Sequence, residues 1–167
     1  PAAVLAFVVP IDADPAAVAT AGQWFAGGKG SWLHTELVRQ GRKNVQLRVR
    51  APWPEGVPGG LLAIEVSDPS GGAAAIADEV LQLCASKFKK EARQGDLATA
   101  YGTVLRAFEQ RTRRPGDQAA LFAARLLQLP EMTVPGLLPR DVAFPSVPAL
   151  LQRILDGNPI VIEWRDT

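Results

Sequence analysis

Apolar residues along the chain fall into four short runs that predict β-strands. Val4–Val9 is a continuous apolar run with β-branched residues, a pattern typical of a buried strand, and Leu61–Val66 predicts a further strand. Residues 45–50 alternate apolar and polar side chains, which indicates a half-exposed strand. Ile160–Trp164 follows a Gly-Asn-Pro turn and predicts a final strand. We expect residues 45–66 to form an antiparallel hairpin, and the first and last strands to share one sheet.

Longer stretches with apolar residues at helical spacing predict several helices. Asp14-Pro15 marks the start of the first, because Asp accepts hydrogen bonds from free N–H groups and Pro fits the first helical position. Ser31 is the expected cap of the second, after a Gly-rich turn that begins at Gly27. Further amphipathic stretches follow at 76–88, 97–108, 121–129 and 150–155. With the strands they predict an α+β fold: a small mixed β-sheet of about four strands, including the antiparallel hairpin, covered by several α-helices.

Length and composition narrow the class of protein. The chain has 167 residues, 47% hydrophobic and 21% charged, which favours a single globular domain over residues 1–167, possible as a module of a larger polypeptide. A single cysteine excludes an intrachain disulfide and favours a reducing, cytoplasmic setting. No apolar run reaches the ~20 residues of a membrane span, so we expect no membrane partner. The sequence has no cofactor-binding motif, and we predict no cofactor.

Charge is segregated along the chain, although the net charge is only +1. Residues 39–50 and 87–114 each carry a net charge of +5, and residues 51–86 between them carry −5. These blocks either neutralise one another in the fold or leave a basic face. A basic face would bind phosphate backbones, so a nucleic-acid-binding domain is one alternative function. Its candidate contacts are Arg39, Arg42, Lys43, Lys87, Lys89, Lys90, Arg111, Arg113 and Arg114.

Protein interaction is the function that the sequence favours. No catalytic residue is predicted, because neither His34 nor Cys84 has a nucleophile–base partner close in sequence. Trp53 lies in a Pro/Gly-rich loop tip beside Arg48 and Arg50, and exposed Trp and Arg are typical binding hot spots. Arg outnumbers Lys 13 to 5, a bias common in GC-rich bacterial genomes. We therefore predict a non-enzymatic interaction or adaptor domain of a bacterial protein, whose partner is another protein or a flanking domain.

A metal-dependent hydrolase of the phosphodiesterase or nuclease type is a second alternative. Enzymes of that class place carboxylates on adjacent strands to hold Mg²⁺ and activate water. Glu65 lies on a predicted strand and Asp68 at its end, and Asp12 or Asp14 would supply a further ligand. Ser67 stands where such a site usually has Lys, so the match is partial and no metal ligand is assigned.

Overall fold

The positions of the strands and helices follow the sequence pattern closely. The computed structural model describes residues 2–53, 59–69, 72–87, 92–112, 116, 119 and 142–164. A 3₁₀ turn at Phe144–Ser146 leads into the last helix. The predicted α+β class is confirmed. In chain order, the elements of this part are β1 Ala2–Val8, α1 Pro15–Ala26, α2 Trp32–Arg39, β2 Gln46–Trp53, β3 Leu61–Ser67, α3 Ala73–Lys87, α4 Gln94–Thr112, α5 Val147–Leu155 and β4 Ile160–Trp164.

The four strands form one sheet in the order β2-β3-β1-β4. β2 and β3 are the predicted hairpin, and β1 and β4 are neighbours, as expected of the first and last strands. The sequence predicted a mixed sheet, and the three described pairings are all antiparallel. In register, β1 pairs Leu5 with Ile64 of β3 and with Val161 of β4.

One face of the sheet forms the hydrophobic core with the helices. Leu5, Phe7, Ile64 and Val66 are almost fully buried there. Helix α1 approaches β2 and β3 so closely that Gly22 has no room for a side chain: a Cβ atom would lie 2.9 Å from the Ala51 Cβ. Since side chains alternate along a strand, the intervening residues point to the other face.

Local signals fix the helix ends as the sequence predicted. The Asp14 carboxylate accepts hydrogen bonds from the N–H groups of Ala16 and Ala17, at 3.3 and 3.1 Å. The Ser31 hydroxyl accepts one from the N–H of His34 at 3.4 Å. In the turn between α1 and α2, Gly28 has a positive φ of 94°, which favours glycine. The predicted helix at 121–129 lies outside the described residues.

Candidate interaction site on the open face of the sheet

The face of the sheet opposite the core, which we call the open face, carries the candidate site. Register places two rows of side-chain positions across all four strands on this face. The first row consists of Arg48, Glu65, Val4 and Ile162, and the second of Arg50, Ala63, Ala6 and Ile160.

The β1–β4 side of the open face is apolar and exposed. Val8 is 63% exposed, Ile160 55% and Ile162 47%. Between them and β2 lie the paired Ala6 and Ala63, whose small side chains are buried. Clustered exposed apolar side chains are typical of protein-binding surfaces.

The β2 side of the open face is basic. Arg48 and Arg50 are exposed there, as the strict alternation of β2 predicted. Neither guanidinium forms an ion pair or side-chain hydrogen bond with another residue of the described part. The cross-strand partner of Arg48 in register is Glu65, and that of Arg50 is Ala63. Two cations that are not engaged in the fold therefore border the apolar side of the open face.

Trp53, the third predicted contact, is not in a loop. Strand β2 runs through Ala51 and Pro52 and ends at Trp53, which pairs with Leu61 of β3. A register shift between Arg50 and Trp53 accommodates Pro52, which has no N–H to donate to the ladder. Prediction of a loop from the Pro/Gly-rich composition was therefore wrong for this residue. Trp53 ends the same outer strand that carries Arg48 and Arg50.

The basic block 39–50 is partly neutralised by acidic residues. Arg42 donates two hydrogen bonds to the Glu79 carboxylate, at 2.6 and 3.1 Å, and its Nη1 lies 3.6 Å from Oδ2 of the buried Asp68. Hydrogen bonding to Glu79, with the charge of Glu79, raises the pKa of Arg42. Arg39 pairs with Glu36 at 2.5 Å. Arg39 and Arg42 therefore form ion pairs within the fold.

The second basic block, 87–114, has half of its eight basic residues in the described part of the chain. Lys87 is the last residue of α3, and Arg111 lies in the last turn of α4. Lys89, Lys90, Arg113 and Arg114 lie outside the described residues.

In the described residues, the carboxylates considered for a metal-dependent hydrolase are not grouped as a metal site. Asp12 forms an ion pair with Arg153 at 3.0 Å, and Asp14 caps α1. Asp68 is only 1% exposed and faces Arg42, whereas Glu65 lies on the open face. In the described part of the chain, no three His, Cys, Asp or Glu residues are grouped so that they could hold a metal ion.

Sequence reasoning missed the apolar half of the site. The run Val4–Val9, which contains Val8, was interpreted as a buried strand, because continuous apolar runs are typical of burial. Ile160–Trp164 was predicted only as a final strand. Their exposure depends on which strand lies at the edge of the sheet and which face the helices cover. A signal was available in the last run: Ile160, Val161 and Ile162 are apolar on both faces in a strand only five residues long.

Comparison with known proteins identifies the fold. No family model and no curated protein matches the chain. Among solved structures, the inactive peptidase domain of a putative zinc protease from Bordetella parapertussis has a TM-score of 0.72 and 14% identity, over 99% of this chain and 91% of that one. A putative zinc protease from Bordetella pertussis has a TM-score of 0.69 and 16% identity, over 99% and 93%. The chain covers only 37% of a protease structure from Helicobacter pylori, with a TM-score of 0.59 and 21% identity.

The zinc-protease names of these structures raise the question of whether this chain could hold zinc. The zinc-protease motifs H-E-x-x-H and H-x-x-E-H both require two histidines on one helix. This chain has one histidine, His34, which is followed by Thr35-Glu36 and cannot complete either motif. The residues present therefore do not fit those zinc sites. The likeness to a structure described as an inactive peptidase domain and to one described as a putative zinc protease shows the fold alone.

In the described residues, no helix is long and apolar enough to cross a membrane.

Proposed function

We propose that this chain is a non-catalytic interaction domain that binds another protein or a flanking domain through the open face. The observation that carries the proposal is the exposure of Val8, Ile160 and Ile162 on the same face as Arg48 and Arg50. An apolar centre with a polar border is the usual anatomy of a protein–protein interface. Arginine is also one of the residues enriched at binding hot spots.

Solved structures with this fold support a partner that is another part of the same polypeptide or of the same complex. The chain covers 39% of a structure described as a peptidase M16 inactive domain from Pseudomonas fluorescens, with a TM-score of 0.62 and 17% identity. In that structure, a unit with this fold is thus part of a much longer chain. A second folded unit next to this one could pack against the open face.

Binding measurements with matched variants test this function. The purified domain is used as bait in a lysate of its own host, with and without nuclease, and retained proteins are quantified by mass spectrometry. Val8→Ser and Arg50→Ala change the open face at exposed positions, and Ile11→Ser is the control, because Ile11 is 78% exposed and lies outside the sheet. We expect a partner protein whose retention does not change on nuclease treatment. The Ile11→Ser control should retain this partner, and the open-face variants should retain it roughly tenfold less or lower still.

Either of two results would contradict the proposal. Equal retention of every protein by all three variants would show that the open face is not the binding surface. Retention only of nucleic-acid-associated proteins, abolished by nuclease, would instead favour a basic surface.

A further inference from the structure

Strand β4 also offers its outer edge, in addition to the residues that it contributes to the open face. It lies at one end of the strand order, so no other described strand pairs with its outer side. Its first three residues are apolar and exposed: 55% for Ile160, 38% for Val161 and 47% for Ile162. An exposed apolar edge strand is a template for pairing with another strand, and proteins usually protect such edges with charge. We infer that two copies of this chain pair through β4, antiparallel and about a twofold axis.

The sequence of β4 is self-complementary in this arrangement. In an antiparallel pair centred on Val161, each Val161 lies opposite its counterpart, and Ile160 of one copy lies opposite Ile162 of the other. Pro159 then lies opposite Glu163, so no two like charges are opposed. Apolar cross-strand pairs are the kind that stabilise a sheet.

Neighbouring registers match less well. A pair centred on Ile162 would place Val161 opposite Glu163, an apolar residue against a carboxylate. A pair centred on Glu163 would place two carboxylates opposite each other, which is destabilising. The Ile-Val-Ile sequence therefore favours the register centred on Val161 over these two.

The pairing would join the two open faces. The strand order would run β2-β3-β1-β4 and then the same order reversed in the second copy. Ile160 and Ile162 of both copies would form one apolar strip at the centre, and Arg48 and Arg50 would lie at the two outer strands. This inference concerns the edge of the sheet, so it does not depend on what binds the open face.

Oligomeric state is the first test. The mass of the wild-type chain in solution is measured by sedimentation equilibrium over a range of concentrations. We expect a dimer in the wild type. Val161→Lys, which would oppose two ammonium groups across the axis, should weaken dimerisation roughly tenfold or more. Ile11→Lys, at an exposed position outside the sheet, should leave it unchanged. A wild-type chain that stays monomeric at its highest soluble concentration overturns the inference.

Cross-linking tests the register and does not rely on a destabilising variant. Under mild oxidation, Val161→Cys should form a disulfide-linked dimer, because opposed residues bring their Cβ atoms within disulfide reach. Ile160→Cys and Ile162→Cys should cross-link when mixed and much less when each is alone. Cys84 is buried and should not interfere. Cross-linking of Val8→Cys, an exposed position away from the edge, as efficiently as Val161→Cys would show nonspecific contact and refute the register.

The two proposals fail separately. Val8→Ser and Arg50→Ala test the open face and leave β4 intact, whereas Val161→Lys changes the edge strand alone. Loss of partner binding in Val8→Ser and Arg50→Ala, with the dimer mass unchanged, would support both the function and the dimer.

Discussion

Arginines close together in the sequence have different roles in this fold. Arg42 lies next to two acidic residues, Glu79 at 2.6 Å and the buried Asp68 at 3.6 Å. Arg48 and Arg50, only a few residues later, project from β2 into solvent. The difference arises because Arg42 lies before the strand, next to α3 and the end of β3, whereas the later two lie on the open face.

Replacing Arg42 should therefore destabilise the protein much more than replacing Arg48. Arg42→Met keeps most of the aliphatic stem but leaves the buried Asp68 carboxylate without this cation, which is costly. We expect the midpoint of thermal unfolding to fall by several degrees. Arg48→Met, the matched control, should change it by about 2 °C or less. Equal midpoints for the two variants would mean that Asp68 does not depend on Arg42.

Burial controls the chemistry of the one thiol. It raises the pKa of the Cys84 thiol from 9.0 to about 12. The native protein should then react with a thiol reagent at pH 8 far more slowly than the urea-unfolded protein, since the thiolate is the nucleophile. Equal labelling rates in the native and unfolded states would show that Cys84 is accessible.

The same shift predicts a pH dependence of stability. Because the folded pKa lies above the unfolded one, this contribution to the free energy of unfolding is complete below about pH 9 and is lost between pH 9 and 12. The loss is on the order of 1 kcal/mol per pH unit in that window. Urea unfolding at pH 8 to 11 should show a steeper decline in the wild type than in Cys84→Ala, which removes only this group. Parallel declines would contradict the assignment.

Helix α1 packs closely against the β2–β3 hairpin and leaves no room for a side chain at Gly22. A Cβ on Gly22 would lie 2.9 Å from the Ala51 Cβ, 3.0 Å from the Leu62 Cδ1 and 3.1 Å from the Val49 Cγ2. Gly22 therefore sets the distance between α1 and the hairpin. Gly102 of α4 is also helical, but an added Cβ there meets nothing within 4 Å.

Alanine should thus have opposite effects at these two glycines. Gly22→Ala gains up to about 1 kcal/mol of helix propensity but loses about 1–3 kcal/mol to overpacking, so we expect net destabilisation. Gly102→Ala has only the first effect and should stabilise by about 0.5–1 kcal/mol. The free energy of unfolding in urea measures both. Stabilisation by Gly22→Ala would mean that α1 can move away from β2 at little cost.

Strands and helices could be predicted from the sequence where the signal lies within a few neighbouring residues. The candidate site could not be predicted where it depends on how distant strands pair. The Asp14-Pro15 cap and the alternation of Val45 to Arg50 each specify their own structure within a few residues, and both predictions were confirmed. The exposure of Ile160 depends on β4 lying at the edge, which only the pairing of distant strands decides. The prediction for Trp53 was wrong for a related reason. Pro52 by itself indicates a loop, but pairing with β3 extends β2 past this proline to Trp53.

At the scale of the whole molecule, the distribution of charge predicts how binding should respond to salt. The open face offers two unpaired arginines, so log K for its partner should fall with log salt with a slope on the order of 1–2. A nucleic-acid surface making six or more phosphate contacts would give a much steeper slope. Titrations of the captured partner between low and physiological salt, for the wild type and Arg50→Ala, would distinguish the two. A steep slope unchanged in Arg50→Ala would exclude the open face as the source.

The pairing of β1 with β4 has a consequence for the architecture of longer proteins. Ala2 lies opposite Trp164 in the antiparallel ladder, so the path into this fold and the path out of it are about 5 Å apart. A unit built in this way can be inserted into a loop of a host domain without forcing the two ends of that loop apart. The same closeness would allow a short linker to join these two positions and new ends to be opened at a surface turn, giving a circular permutant with the same sheet.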